Sequence, residues 1–339
     1  MKWRWAALIL CAALLAGCSA SKETVESSSS FFAMDTYMSI TAYGEGAEEG
    51  VERARTRILE LDGLWSVTDE GSDIYALNHS RGQGTAVSAD TASLLEFAAD
   101  MSNRTGGALN IAIYPVLRAW GFTGDAYRVP SRDEIQELLP LTRGSIAIAG
   151  DAVTLDAGMM IDLGAVGKGR AGDAAADILR DCGVASALLD LGGNIQAVGA
   201  RPDGGPWRLG ILDPDGAGNV GVLRVADAAV VTSGSYERYF TAEDGTRYGH
   251  IIDPDTGCPV DNELLSVTVI AREGALCDAL STSLFVMGLD EAIEHWRRYG
   301  DFDMVIITRD GEIFLTEGIR DSFTLDAEHG HMAVNVIGR

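Results

Sequence analysis

Asp278 and Thr282 stand one helical turn apart in Cys277-Asp278-Ala279-Leu280-Ser281-Thr282, so a helix there puts a carboxylate and a hydroxyl on one face. That pair suits a hard cation such as Mg²⁺, which takes few protein oxygens and fills its shell with phosphate and water. The same two residues can also serve the helix alone, Asp278 by favouring its N-terminal half and Thr282 by bonding back to the previous turn. A second constellation is the run Ile161-Asp162-Leu163-Gly164-Ala165-Val166-Gly167-Lys168-Gly169-Arg170-Ala171-Gly172. Gly167, Gly169 and Gly172 match the dinucleotide pattern G-x-G-x-x-G, with Asp190 following at a strand end. Lys168 is foreign to that pattern, no alternating strand–helix run follows it, and Gly169 stands where a P-loop needs Ser or Thr. The physics outlives both labels. Glycines at a strand-to-helix turn let backbone N–H groups approach an anion, and Lys168 adds a point charge, so a phosphate ligand is expected. Glycines that only permit close packing are the alternative. Among His79, His250, His295, His329 and His331, only His250, in His250-Ile251-Ile252-Asp253-Pro254, has a motif-like setting. A neutral imidazole there is a candidate general base. Leu191-Gly192-Gly193-Asn194 and Thr232-Ser233-Gly234-Ser235-Tyr236 read as turns that either line a ligand cleft or merely reverse the chain.

These groups need elements to hold them. Alternation predicts a strand over Thr36–Tyr43, and Ala47, Val51, Ala54, Ile58 and Leu61 recur at helical spacing. Helices are expected over about 91–103, 170–180, 275–287 and 290–299, with Gly183 ending the second of these. Ser131 and Glu134 form a capping box for a short helix that Pro140 ends. Two or three short strands are expected between Ser145 and Leu163. Further strands follow at 186–191, 207–212, 221–225, 229–232, 264–271 and 304–308. No internal repeat is visible, and one α+β unit with mixed sheets is the expected architecture.

The 339 residues are 47% hydrophobic and carry 50 acidic against 26 basic side chains, a net charge of −24. The apolar content excludes a disordered chain, and the charge excludes nucleic acid as a partner, because no basic cluster offsets it. Lys2 and Arg4 precede the apolar stretch Trp5–Ala16, which is too short to span a bilayer and has the layout of a secretory signal. It closes on Leu15-Ala16-Gly17-Cys18, similar to a bacterial lipobox, where the cysteine is lipidated. Residues 1–17 are therefore expected to be a signal peptide. Cys18 is the expected lipidation site, residues 18–30 a Ser-rich flexible tether, and the protein a lipid-anchored one on the extracytoplasmic face of the cell membrane. Cys182, Cys258 and Cys277 are odd in number and read as unpaired thiols.

Taken in order, these segments resemble the ApbE family of flavin transferases. The resemblance runs from about Phe31 to Asp321 and rests on Met34-Asp35-Thr36, Gly107-Ala108-Leu109-Asn110, Trp120-Gly121-Phe122, Asp162 to Gly169, Asp190 to Asn194, Thr232 to Tyr239, His250 to Pro254 and Asp278 to Thr282. It implies an α+β fold: one T-fold-related catalytic domain over 31–339, with mixed, largely antiparallel sheets and packed helices. By position it implies FAD contacts at Met34, Thr68, Ala108, Leu109, Asn110, Asp162, Lys168 and Ile252. It also implies a Mg²⁺ shell from Asp278, Thr282 and the Ala165 carbonyl. Thr68 stands where many members carry an aromatic residue, and Asn110 where an Asp is frequent. The implied activity is Mg²⁺-dependent transfer of FMN from FAD to a threonine of an acceptor flavoprotein, a Rnf- or Nqr-type subunit or another secreted flavoprotein, with AMP released. His250 is the expected base. FAD pyrophosphatase activity, or a non-catalytic lipid-anchored flavin carrier, are the alternatives.

Overall fold

The computed structural model describes residues 25–339 apart from Asp125 and Ala217. The expected signal peptide, the lipidation site Cys18 and the tether as far as residue 24 lie outside the described residues. Strands β1 (Glu26–Ala33), β2 (Thr36–Tyr43), β3 (Ser186–Leu191), β4 (Asn194–Gly199), β5 (Ala229–Gly234), β6 (Leu264–Ala271), β7 (Asp303–Thr308), β8 (Glu312–Thr316) and β9 (Ala333–Ile337) lie side by side in that order in a nine-stranded sheet. Each neighbouring pair is antiparallel until β9, which runs parallel to β8.

The α-helices among the described residues are α1 (Ala47–Trp65), α2 (Asp73–Asn78), α3 (Ala89–Arg104), α4 (Tyr114–Trp120), α5 (Arg132–Leu138), α6 (Gly167–Asp181), α7 (Gly274–Met287) and α8 (Leu289–Tyr299). Ile58 and Leu61 of α1, Ala175 and Leu179 of α6, and Leu280 and Leu284 of α7 pack with Ile40, Leu189, Val231 and Val267 in one core on one face of the sheet. On the other face Val230, Ile270, Val305 and Ile307 pack with Trp207, Ile211, Val220 and Leu223. The last four belong to a small antiparallel sheet made of Trp207–Leu212, Asn219–Val225 and Phe323–Leu325. With both faces covered, β6 is buried over nearly its whole length, which is why it reads as a continuous apolar run rather than an alternating one.

The Ser-rich stretch corrects one expectation. Residues 26–30 are strand, not tether, and β1 pairs with β2 from Glu26↔Tyr43 to Ala33↔Thr36. Phe31 and Ala33 bury against the core and fix the register, while the serines need only their backbone to complete the ladder. Residues 232–234 likewise belong to β5, with Ser233 buried, rather than to a turn. The Gly192-Gly193 turn is a tight hairpin joining β3 to β4, with φ of 69° and 92°. β2 and β3 are neighbours in the sheet, so everything from α1 to α6 is one excursion between them. That excursion builds the walls of the site.

Candidate functional site

The first turn of α6 is the centre of the arrangement. Neither α6 nor α7 has a side-chain cap from its own N-cap residue, Val166 and Glu273 respectively. Gly169 is the third residue of α6, so its N–H is one of the first-turn donors that no helical carbonyl reaches. It donates instead to Asp278 Oδ2 on α7, at 2.8 Å. Asp278 is 3% exposed, and the Ala165 carbonyl, which precedes the N-cap Val166, stands outside the helix ladder. The approach is possible because both backbones are bare at the crossing: a Cβ on Gly169 would sit 2.2 Å from the Gly274 oxygen. Thr282, one turn beyond Asp278, sets its Oγ1 3.3 Å from Ser233 Oγ, which in turn lies 2.9 Å from Ser281 Oγ.

Among the described residues, no group of three or more His, Cys, Asp or Glu side chains comes together to hold a metal. The expected set contains one carboxylate, one hydroxyl and one carbonyl. Its fit rests on a buried carboxylate that has one oxygen engaged by α6, with the Ala165 carbonyl in the turn that leads into that helix. Such hard oxygen donors suit Mg²⁺ in the company of phosphate.

Lys168 follows on the same turn and opens into a cavity of about 200 Å³ lined by Met34, Asp62, Trp65, Thr68, Asp162 and Arg238, among others. It is the only lysine in residues 25–339; every other cation there is arginine or histidine. Met34 and Asp35 take φ of 48° and 57° at the tip of the β1–β2 hairpin, held by a Met34 N–H donated to Asp62 Oδ1 at 3.0 Å. Burial raises the Asp162 carboxyl; the Gly164 N–H and the charges of Lys168 and Arg238 oppose that shift. Thr68 is exposed on the rim, its hydroxyl 3.2 Å from Ser66 Oγ. Glu237 is exposed at the surface, yet the protein packed around its carboxyl desolvates it enough to lift it to about 7, with Asp278 adding to the rise and Lys168 countering it. Glu237 therefore lies within the reach of both charges.

His250 lies in the same field. Burial depresses it to about 4, the Arg238 carbonyl resists this, and Lys168 and Arg238 reinforce it. The ring is neutral at pH 7. Nδ1 lies 3.1 Å from the Arg238 carbonyl, an acceptor, so Nδ1 carries the proton and Nε2 keeps its lone pair.

The remaining expected contacts stand apart. Ala108 and Asn110 line a second cavity of about 730 Å³, together with Gly107, Arg143, Asp253 and Asp255. Asn110 spends its side chain on local structure: Oδ1 accepts from Ala112 N at 2.9 Å, and Nδ2 donates to the Thr142 carbonyl at 3.1 Å. Leu109 is 1% exposed with its side chain in the main core, so only its backbone can face a ligand. Ile252 is buried with Trp120, Phe122 and Ile135 in a satellite cluster. A backbone hydrogen bond from Asp162 N to the Ile111 carbonyl, 2.8 Å, joins the lining of one cavity to that of the other. Sequence reasoning missed Asp62, Trp65, Glu237 and Arg238 as site residues. Glu237 and Arg238 lay inside a quoted motif, whereas Asp62 and Trp65 look like ordinary positions on an amphipathic helix.

Residues 34–306 match the model of the ApbE family. An FAD:protein FMN transferase of Klebsiella pneumoniae strain 342 is 34% identical over 284 residues, 80% of this chain and 88% of that relative. One of Treponema pallidum strain Nichols is 32% identical over 343 residues, 94% of each. The crystal structure of the ApbE protein of Thermotoga maritima superposes with a TM-score of 0.82 at 31% identity, over 88% of this chain and 99% of that one. The apo flavinyl transferase ApbE of Pseudomonas stutzeri gives 0.79 at 27%, over 90% and 98%.

Proposed function

The chain belongs to the ApbE family, and we propose that it is a Mg²⁺-dependent FAD:protein FMN transferase that esterifies a threonine of an acceptor flavoprotein with FMN and releases AMP. The observation that carries this reading is the crossing of α6 and α7. It gathers Lys168, Gly169 and Asp278 at one helix end, just after the Ala165 carbonyl, with His250 in the same electrostatic field. A helix N-terminus with a lysine is a phosphate site, and FAD offers a pyrophosphate with an organic moiety at either end. Those two ends suit the two cavities, whose linings are joined by the Asp162–Ile111 backbone bond.

Asp278, Thr282 and the Ala165 carbonyl would hold Mg²⁺, which supplies charge neutralisation of the pyrophosphate. Lys168 binds and orients the phosphates. His250 Nε2 accepts the proton of the threonine hydroxyl as its oxygen bonds to the FMN-side phosphorus. The bond from that phosphorus to the bridging oxygen breaks, and AMP leaves with that oxygen. A lipid anchor at Cys18 would hold this chemistry at the extracytoplasmic face of the membrane. The test is incubation of the protein with FAD, Mg²⁺ and a threonine-bearing acceptor, followed by mass analysis of both proteins. FMN-sized mass gain on the acceptor with equimolar AMP is expected. Free FMN and AMP without labelled acceptor would make the protein a pyrophosphatase, and no turnover would make it a flavin carrier.

A further inference from the structure

The helix carrying Asp278 and Thr282 is itself held by a carboxylate of the helix it crosses. Asp173, on α6, accepts from the backbone N–H of Gly274 at 2.5 Å through Oδ1 and from that of Ala275 at 2.9 Å through Oδ2. These are the first two residues of α7, whose own N-cap Glu273 makes no side-chain cap bond. Asp278 returns the service by taking the Gly169 N–H of α6. Each helix is thus capped by the other's carboxylate, and the bare Gly169–Gly274 crossing lies between the two caps.

Resting on the cation site of the proposed function, we infer that Asp173 is a positioning residue for it, setting α7 at the height where Asp278 and Thr282 face the Ala165 carbonyl. Asp278 lies one turn from the capped end of α7, while the Ala165 carbonyl comes from the turn that leads into α6. Their separation therefore depends on how firmly the helices are pinned. Two bonds from one carboxylate fix both the distance and the rotation of the first turn of α7, which a single acceptor cannot do. Outer partners of this kind typically change metal affinity by about 10- to 100-fold when removed.

The experiment uses the full chain with FAD bound and Mn²⁺ as a paramagnetic stand-in for Mg²⁺, its binding followed by electron paramagnetic resonance. Asp173→Asn keeps the shape and one acceptor; Asp173→Ser keeps a single short one. Either variant with a cooperative thermal transition reports. Mn²⁺ affinity is expected to fall by about tenfold or more, while FAD affinity in EDTA, read by flavin fluorescence, stays within twofold. Unchanged Mn²⁺ affinity in a folded variant overturns the inference. So does an equal loss of FAD affinity in EDTA, which would signify general loosening. If the parent binds no Mn²⁺ with FAD present, the cation site itself is refuted and the inference falls with it.

Discussion

Gly169→Ala separates two meanings of the glycine motif. A Cβ at this position would lie 2.2 Å from the Gly274 oxygen and 2.7 Å from Asp278 Cβ, so α6 and α7 must part by roughly 1 Å to reach ordinary contact, which core overpacking makes costly. Overpacking of this kind costs about 1–3 kcal/mol. The Gly169 N–H bond to the Asp278 carboxylate, worth about 1.5–3 kcal/mol, is lost in the same movement. Alanine's helix propensity returns up to about 1 kcal/mol, so a net loss of about 2–5 kcal/mol is expected. Gly167→Ala is the control. Its added Cβ meets only Trp65 Cε3 at 3.7 Å, an ordinary contact, and its melting temperature is expected to match the parent's. Thermal denaturation by circular dichroism reads both variants, and Mn²⁺ titration reads the displaced Asp278. If the two substitutions prove equally harmful, the glycines serve ligand approach alike, and the helix-crossing argument is wrong.

His250→Ala is expected to slow FMN transfer by at least about a hundredfold while FAD affinity stays within a few-fold, measured by covalent flavin on the acceptor and by flavin fluorescence. Because His250 is depressed to about 4, it stays neutral from pH 8 down to about 5. An inflection of the transfer rate near pH 7 would belong instead to Glu237 and should vanish in Glu237→Gln. Lys168→Ala should weaken FAD binding before it slows transfer. As the only lysine in residues 25–339, Lys168 should be shielded by FAD from an amine-reactive reagent, with peptide mass mapping as the readout. Asp278→Ala should abolish most metal-dependent turnover with the far-ultraviolet spectrum unchanged; full activity in chelator would remove Asp278 from the cation site.

Burial outweighs two N–H donors and raises Asp173 to about 6. The folded state therefore holds this proton more tightly than the unfolded chain. Its contribution is present below about pH 4 and is lost as pH rises through 6. The stability of the parent relative to Asp173→Asn should accordingly fall across that window, by at most about 3 kcal/mol, as read by urea denaturation at each pH. A flat difference would place the Asp173 titration elsewhere.

Elements whose burial is one-sided, or whose ends carry their own signals, are legible in the amino-acid order. The pattern at Thr36–Tyr43 names the residues of β2, and Ser131 caps α5 through the Glu134 N–H as the capping box requires. The amino-acid order also singled out Lys168, His250, Asp278 and Thr282, because a lysine among glycines and a carboxylate one turn from a hydroxyl are conspicuous as residue types. β1 escaped notice because serines contribute only backbone to a ladder whose register is set by Phe31 and Ala33. Tertiary structure alone decided which groups meet. Local spacing says nothing about a bond between Gly169 and Asp278 or about Asp173 capping another helix, since both depend on two backbones touching where neither has a side chain. The same holds for charge and solvation: the shifts of His250 and Asp173 come from desolvation by distant segments, and desolvation is a property of the packed fold that no local run of residues contains.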